Sequence, residues 1–190
     1  MATKNGMFMH KGQPDNIKEA LWWEESCIRR QGGYDLDKSN LPATLRWLPK
    51  GTVLGFKKEN GAAIVVKTAK VYEAIVKEAT SVKVEANDLL MVGDKLGGMT
   101  ISAIVVEDGV ATLTVSAAPT ALKAGDVIAD ENSKGIILGL QYETNDLRDN
   151  DYPQVTPTLQ VYEIEEDTMP YPVNDEIKAK LGDRHQFKIQ

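Results

Sequence analysis

Residues 101–115, ISAIVVEDGVATLTV, are the stretch that decides the fold. Two runs rich in β-branched residues, 101–106 and 110–115, flank Asp108-Gly109, and the second run partly alternates apolar with polar side chains. Branched side chains favour the pleated surface of a strand, and Asp-Gly suits a two-residue turn because both residues tolerate positive φ. The stretch therefore predicts a β-hairpin.

The rest of the central segment, residues 51–140, has the same character. It contains ten of the fifteen glycines, one proline and only two aromatic residues, and it is otherwise rich in Val, Ile, Ala and Thr. Asn60-Gly61 lies between two apolar runs and predicts a second hairpin. Residues 69–79 mix helix-forming Ala, Glu and Lys with strand-like alternation, and the strands on either side favour a strand. We predict a β domain with the architecture of a small barrel or sandwich.

A short motif occurs twice in this segment, at residues 90–96 and 122–128, with the pattern L-x-x-G-D-x-apolar. Glycine takes the positive-φ position of a turn, and aspartate can accept a hydrogen bond from the neighbouring backbone. We interpret three residue pairs as structural turns: Gly93-Asp94, Asp108-Gly109 and Gly125-Asp126. The alternative, in which Asp94 and Asp126 together bind a cation, lacks further acidic ligands nearby.

Residues 1–50 contain all three tryptophans and one predicted helix. Asp15 can cap a helix over residues 16–31, in which apolar residues recur at helical spacing before Gly32-Gly33. Trp22 and Trp23 would point about 100° apart on this helix, so that one faces the core and the other a partner or a neighbouring subunit. The alternative is an amphipathic helix whose wide apolar face buries both. With Trp47, from the extended connector that follows, they are the candidate contact residues.

Residues 141–190 form an acidic extension that we expect to pack on the β domain or complete it. A strand is predicted at 155–164 and restricted to a sheet edge by Pro157, and a short helix at 175–181 is ended by Gly182. Phe187 and Ile189 alternate like a closing strand. The predicted organisation is an N-terminal helix and connector (1–50), a central β domain (51–140) and the acidic extension (141–190). The fold class is mainly β, with an N-terminal helical extension and a short C-terminal helix.

The net charge of −6 lies in that extension, which has eleven acidic and five basic residues, whereas the rest of the chain is neutral. A nucleic-acid surface needs clustered cations, so we expect no nucleic-acid binding. No run approaches the roughly 18 apolar residues of a membrane span, and the N-terminus has no signal-peptide pattern. We expect a protein that folds in a cytoplasm and binds no membrane.

No group of residues indicates catalysis, a metal or a cofactor. Cys27, the single cysteine, falls on the apolar face of the predicted helix, where a thiol is typically inert, and His10 and His185 are the only histidines. Motifs for a nucleophile elbow, a phosphate loop or a zinc protease are missing. The acidic run EIEED at 163–167 is typical of a solvated or docking surface. We predict a protein that is not an enzyme; a hydrolase using buried carboxylates of this run is the alternative.

Seven motifs follow one another from residue 48 to residue 182: LPKGTVLG, KVYEA, ND-x-x-x-VGDK, TISAI, TLTV, AGDVI and MPYPVNDEIKAKLG. In their order they resemble the head fiber and capsid-decoration proteins of tailed phages and prophages. The resemblance covers most of the chain from Leu48 onward, but it does not extend to the segment with Trp22 and Trp23. Its motifs are turn and strand patterns and include no catalytic signature.

This resemblance implies an accessory virion protein on the outside of the capsid, assembled in the host cytoplasm. It would have no enzymatic activity or cofactor, would bind the major capsid protein and would form a homo-oligomer, with a trimer favoured. A second hypothesis from the residues themselves is a carbohydrate-binding or adhesin-like β domain. In that case Trp47, Tyr152 and Tyr171 would stack on sugar rings.

Overall fold

The computed structural model describes residues 17–148 and 153–188. The chain is mainly β, with a curled half-barrel sheet, and the described residues contain one α-helix, α1, at Asp175–Leu181. The strands are β1 Trp23–Arg29, β2 Tyr34–Asp37, β3 Trp47–Leu48, β4 Val53–Lys57, β5 Ala62–Val65, β6 Thr68–Lys70, β7 Ser81–Glu85, β8 Lys95–Leu96, β9 Met99–Glu107, β10 Val110–Val115, β11 Val127–Ala129, β12 Ile136–Leu140, β13 Asn145–Asp146, β14 Gln154–Val155, β15 Thr158–Ile164 and β16 His185–Phe187. Short 3₁₀ turns occur at Lys38–Asn40, Glu131–Lys134, Glu166–Thr168 and Gly182–Arg184.

The largest sheet combines strands from all three segments of the chain in the order β12-β4-β5-β2-β14. β4 and β5 form the hairpin predicted at Asn60-Gly61, where Gly61 has φ +70° and the Asn60 side chain accepts a hydrogen bond from the Ala62 N–H. β5 is buried along its whole length, as expected for a strand covered on both faces. This sheet places the middle of the chain at the centre of the molecule.

A second sheet, ordered β7-β10-β9-β8, is built around residues 101–115. Asp108 and Gly109 have φ +46° and +78° and join β9 to β10 by a two-residue turn with positive φ at both positions, as the sequence predicts. The sheet buries its own core, which includes Leu96, Ile101 and Leu113. Residues 69–79 form no helix; a regular strand there extends only to Lys70.

One turn geometry recurs four times, at residues 49–52, 76–79, 91–94 and 123–126. In each, the fourth N–H bonds the first carbonyl and the third residue has a positive φ, the arrangement of a type II turn. The third residues are Gly51, Glu78, Gly93 and Gly125. Each of their N–H groups also donates a 2.8 Å hydrogen bond to the carbonyl of a more distant residue, so every turn is tied to the rest of the fold.

The prediction of a helix over residues 16–31 is wrong. Residues 23–29 are β1, which pairs antiparallel with β15, and the chain before it is held by a hydrogen bond from Ala20 N–H to the Lys50 carbonyl. The local spacing of apolar residues favours a helix, but it carries no information on partners that are distant in sequence. Pairing with β15, about 130 residues away, determines the structure of this segment instead. Asp15, the predicted cap, lies outside the described residues.

The C-terminal segment supplies the centre of a three-stranded sheet, β1-β15-β16. The prediction that Pro157 confines this strand to an edge is wrong, because β15 begins at Thr158, after the proline. The predicted short helix is confirmed as α1: the Asn174 side chain caps it by accepting the Ile177 N–H at 2.9 Å, and Gly182 ends it with φ +68°. β16 is the closing strand; Ile189 lies outside the described residues.

Candidate functional site

The two adjacent tryptophans have opposite environments. Trp22 is 8% exposed and packs in the core, whereas Trp23 is 53% exposed. Consecutive side chains of an extended chain point to opposite faces, which explains the difference. The Lys50 ammonium lies 4.3 Å from the centre of the Trp22 ring and also pairs with Glu24. Of the pair, therefore, only Trp23 is available to a partner.

Trp23 belongs to an apolar surface that we call the Trp23 patch, formed by Leu21, Trp23, Ile28 and Tyr162. Trp23 lies opposite Tyr162 in the β1–β15 ladder, and Ile28 lies opposite Gln160. Residues opposite one another share a face of the sheet, as do residues two apart in one strand. These side chains therefore lie together on the outer face, where Leu21 and Ile28 are also about half exposed.

The patch depends on an irregularity in β1. Between Trp23 and Ile28, β1 has four residues, whereas β15 has one between the opposing Tyr162 and Gln160. The Ser26 hydroxyl fills this gap by accepting a hydrogen bond from the Tyr162 N–H at 2.9 Å and donating one to the Trp23 carbonyl at 2.6 Å. The bulge thus brings Trp23 and Ile28 to the same face although they are five positions apart.

Acidic side chains flank the patch along both strands. Glu25 lies two residues after Trp23, and Glu163 follows Tyr162 with φ +55°, whereas Glu24 pairs with Lys50 beside Trp22. Glu25 and Glu163 form no salt bridge in the described part of the chain. An apolar centre with an acidic rim is the surface chemistry that suits a partner with apolar and basic side chains.

Trp47 lies in a different place, in the wall of an open groove of about 720 Å³. Arg46 and Arg148 lie 4.7 and 5.8 Å from the centre of its ring. The side chain and the backbone N–H of Arg148 also donate hydrogen bonds to the Asp146 carboxylate, which hold the pKa of Asp146 below its ordinary value. The Trp47 ring N–H is buried and has no hydrogen-bond partner among the described residues. Trp47 is thus packed against cations beside the groove.

Tyr171 lines the same groove but is buried. Its hydroxyl donates a 2.6 Å hydrogen bond to Asp88, and burial raises the pKa of this phenol far above its ordinary value. A ring held in the core in this way forms part of the wall and is not free to stack on a sugar. Tyr152, the third candidate for stacking, lies outside the described residues.

The Cys27 thiol is half-buried against the core, and the His185 imidazole is buried. Burial raises the pKa of Cys27 to about 11, so that almost none is thiolate at neutral pH. Burial also lowers the pKa of His185, whose ring nitrogens contact the Thr158 hydroxyl at 2.9 Å and the Leu181 carbonyl at 3.2 Å. Glu163 is exposed, and Glu165 pairs with Lys188. His10 lies outside the described residues.

The structure separates the two repeated aspartates. Asp94 forms a salt bridge with Lys67, whereas Asp126 is exposed and accepts a hydrogen bond from the Lys123 N–H at 2.7 Å. Each aspartate closes its own turn in the same way, since Asp94 likewise accepts from the Met91 N–H at 2.8 Å. Within residues 17–148 and 153–188, no group of three or more His, Cys, Asp or Glu side chains could hold a metal ion.

Asp130 lies close to the Lys67–Asp94 pair and is buried. Its N–H bonds the Lys67 carbonyl at 2.9 Å, one carboxylate oxygen accepts from the Asn132 side chain at 2.7 Å, and the other has no partner among the described residues. Burial raises the pKa of Asp130 to about 6, and Asn132 and Lys67 oppose that effect. The charge of this carboxylate is therefore sensitive to pH in the mildly acidic range.

Of the Trp23 patch, only Trp23 itself is predicted as a contact residue from the sequence. Leu21 and Trp23 are two positions apart, which places them on one face only if the segment is extended. Tyr162 and Gln160 show the same spacing in β15. A period of two around Trp23 was therefore the available signal, and the helical spacing of the apolar residues concealed it.

No protein-family model matches the chain, and no curated protein or solved structure is significantly similar to it. Within the described ranges, none of the helical segments is long and apolar enough to cross a membrane.

Proposed function

We propose that the chain is an accessory structural protein of a phage virion, a head fiber or decoration protein, and that it binds the major capsid protein on the capsid exterior through the Trp23 patch. The main observation in support is the half-exposed Trp23 among apolar neighbours on the outer face of the β1-β15-β16 sheet. Exposed aromatic and aliphatic groups of this kind mark protein interfaces. The order of the motifs from Leu48 onward supports the same assignment.

The acidic rim defines the chemistry of the expected partner surface. Glu25 and Glu163 beside the patch would meet Lys or Arg side chains of the capsid protein, while Trp23 fills an apolar depression. Charges at the rim of an interface act mainly on the rate of association and its dependence on salt. Binding should therefore weaken moderately as the salt concentration rises, but it should persist because the apolar centre is insensitive to screening.

Cosedimentation of the purified chain with empty shells of the major capsid protein from the same phage or prophage tests this proposal. We expect saturable binding that Trp23→Ala weakens by about tenfold or more, since truncating a central aromatic residue typically costs over 1.4 kcal/mol. Tyr72→Ala is the matched control, because Tyr72 is also an aromatic residue that is 53% exposed but lies outside the patch. Shells that bind no chain, or that bind both variants like the unmodified chain, would overturn the proposal.

A carbohydrate-binding function is the second candidate, and the groove beside Trp47 is the observation that favours it. Sugar sites combine an aromatic wall with planar polar side chains, and Asn87 and Asp88 line the groove together with Trp47. The Arg46 guanidinium near the Trp47 ring and the burial of Tyr171 leave little aromatic surface for stacking, which is why we place this function second.

A glycan array distinguishes the two functions. A sugar-binding groove requires a reproducible ligand whose signal falls when Trp47 is changed to Ala in a variant that still folds by circular dichroism. Trp23→Ala should leave that signal unchanged. An array without a ligand for the unmodified chain removes this candidate and does not affect capsid binding.

A further inference from the structure

The β7 edge and the β9 edge of the β7-β10-β9-β8 sheet differ in how far the rest of the chain covers them. Along β7, the chain folds back and closes the edge: Val71 bridges Val84, and the Tyr72 N–H donates to the Lys83 carbonyl at 2.8 Å. Charged side chains reinforce this side, with salt bridges Lys70–Glu85 and Lys83–Glu73. Natural sheets prevent their edge strands from pairing with other molecules by covering the edge with another segment of the chain and by placing charged side chains along it.

The opposite side, along β9, remains open. β8 pairs with β9 only through Lys95–Thr100 and Leu96–Met99, and the backbone of Ile101 bonds the turn at residues 93–94. Beyond that point, residues 102–107 have β10 as their only partner strand in the described part of the chain. Six of the nine residues of β9 therefore form an edge, along which alternate backbone groups are available for hydrogen bonding.

Apart from Glu107 at its end, the side chains of this edge offer no protection against pairing. Residues 99–106, MTISAIVV, contain no charged residue and no proline, and the irregularity in the β9–β10 ladder lies at the far end, near Ile101. Val105 and Val106 are 55% and 59% exposed, and as neighbours in a strand they point to opposite faces. Both faces of the edge are thus apolar and β-branched, which favours cross-strand packing.

We propose that the β9 edge pairs antiparallel with the β9 edge of a second copy of this chain, which continues the sheet across two molecules. The charge distribution points to a second copy as the occupant. Copies of a chain with net charge −6 repel each other over most of their surfaces, but this strip is neutral and can approach itself. Antiparallel pairing of residues 102–106 centred on Ile104 leaves Glu107 beyond Ser102 of the second copy, so the two glutamates do not face one another.

Sizing with light scattering over a range of protein concentrations tests this inference on the full chain. We expect a concentration-dependent dimer, and we expect Val105→Lys or Val106→Lys to raise its dissociation constant about tenfold or more, because each introduces two cations into one strand pair. Val76→Lys is the control, since Val76 is also an exposed valine, at 74%, and lies outside the edge. The control should associate like the unmodified chain.

Hydrogen exchange distinguishes strand pairing from other modes of association. The amides among residues 102–106 that do not bond β10 should become more protected as the protein concentration rises, and Val105→Lys should abolish this change while leaving the protection of β10 intact. A chain that is monomeric at every concentration, or an oligomer unaffected by both lysine variants, would overturn the inference. The result is independent of capsid binding, because Val105→Lys leaves the Trp23 patch unaltered.

Discussion

The Lys67 ammonium group lies 2.6 and 2.8 Å from the two carboxylate oxygens of Asp94, and Lys67 is only 1% exposed. Lys67 follows the buried strand β5, and Asp94 closes one of the four repeated turns. The pair therefore links the large sheet, β12-β4-β5-β2-β14, to the turn that precedes the β7-β10-β9-β8 sheet's strand β8. In a buried site, two charges stabilise the fold only as long as both are present, because a single one is left without solvation.

We expect Asp94→Asn to lower the free energy of unfolding by about 3–5 kcal/mol, the typical cost of leaving a buried charge unpaired. Asp126→Asn is the matched control in the equivalent, exposed turn and should cost less than about 1 kcal/mol. Urea unfolding of both variants measures the difference. The double variant Lys67→Met/Asp94→Asn should be more stable than the sum of its single changes predicts. Equal, small effects of Asp94→Asn and Asp126→Asn would contradict a structural role for the pair.

The docking of the N-terminal segment can be tested at Gly51. Gly51 and Gly125 occupy the same turn position with φ +93° and +90°, but an added Cβ at Gly51 would lie 2.4 Å from the Ala20 Cβ, whereas that at Gly125 would meet nothing within 4 Å. Gly125→Ala should therefore cost only the conformational penalty of about 1–2 kcal/mol. Gly51→Ala should cost about 1–3 kcal/mol more because of overpacking.

Thermal unfolding of these variants and of Gly51→Ala/Ala20→Gly completes the test. Removing the Ala20 methyl group should restore part of the stability lost in Gly51→Ala, although Ala20→Gly alone is destabilising. If Ala20→Gly lowers the stability equally with and without the Gly51 change, the segment before β1 does not pack against this turn as described.

Glu78 is the non-glycine member of the four repeated turns, with φ +69° and an exposed side chain. Glu78→Gly removes the steric cost of this conformation, and we expect a gain of about 0.5–1 kcal/mol in the free energy of unfolding. Lys77→Gly, one position earlier in the same turn and without a positive φ, should be neutral or destabilising. Chemical denaturation of both variants provides the comparison, and a loss of stability in Glu78→Gly would rule out strain at this position.

The elements that could be predicted from the sequence are those set by local chemistry. The hairpins at Asn60-Gly61 and Asp108-Gly109 depend on residues that tolerate positive φ, and α1 depends on its cap and on Gly182. Two of the four repeated turns were recognisable from Gly-Asp. The third turn, at residues 49–52, also follows a leucine and has glycine at its third position, but Thr52 replaces the aspartate of the motif. The fourth turn, at residues 76–79, has Glu78 at the position where the other three have glycine.

The remaining features depend on partners that are distant in sequence. Residues 23–29 are a strand because β15 lies beside them, and the local spacing of apolar residues predicted a helix instead. The same pairing decides which tryptophan is exposed, so the patch could not be assembled from residues 1–50 alone. Lys67 likewise looks like an ordinary polar residue between two strands until the fold brings Asp94 to it.

The pH dependence of stability provides a test of the buried Asp130 carboxylate. Its pKa in the folded chain, about 6, is above the ordinary value of 3.8, so the folded state holds this proton more tightly than the unfolded chain does. The contribution of Asp130 to the free energy of unfolding is therefore highest below about pH 4 and falls as the pH rises to about 6, by up to about 3 kcal/mol. His185 acts in the opposite direction: its pKa is lowered by burial, so its contribution falls as the pH drops below about 6.5.

Asp130→Asn isolates the first contribution, because His185 and every other group are common to both chains. We expect the variant to be about 1–3 kcal/mol more stable than the unmodified chain above about pH 6.5, since it buries a neutral amide in place of a charge. The difference should shrink steadily between about pH 6 and pH 4. Urea unfolding at a series of pH values measures it, and a difference that stays constant over this range would show that Asp130 does not carry the raised pKa.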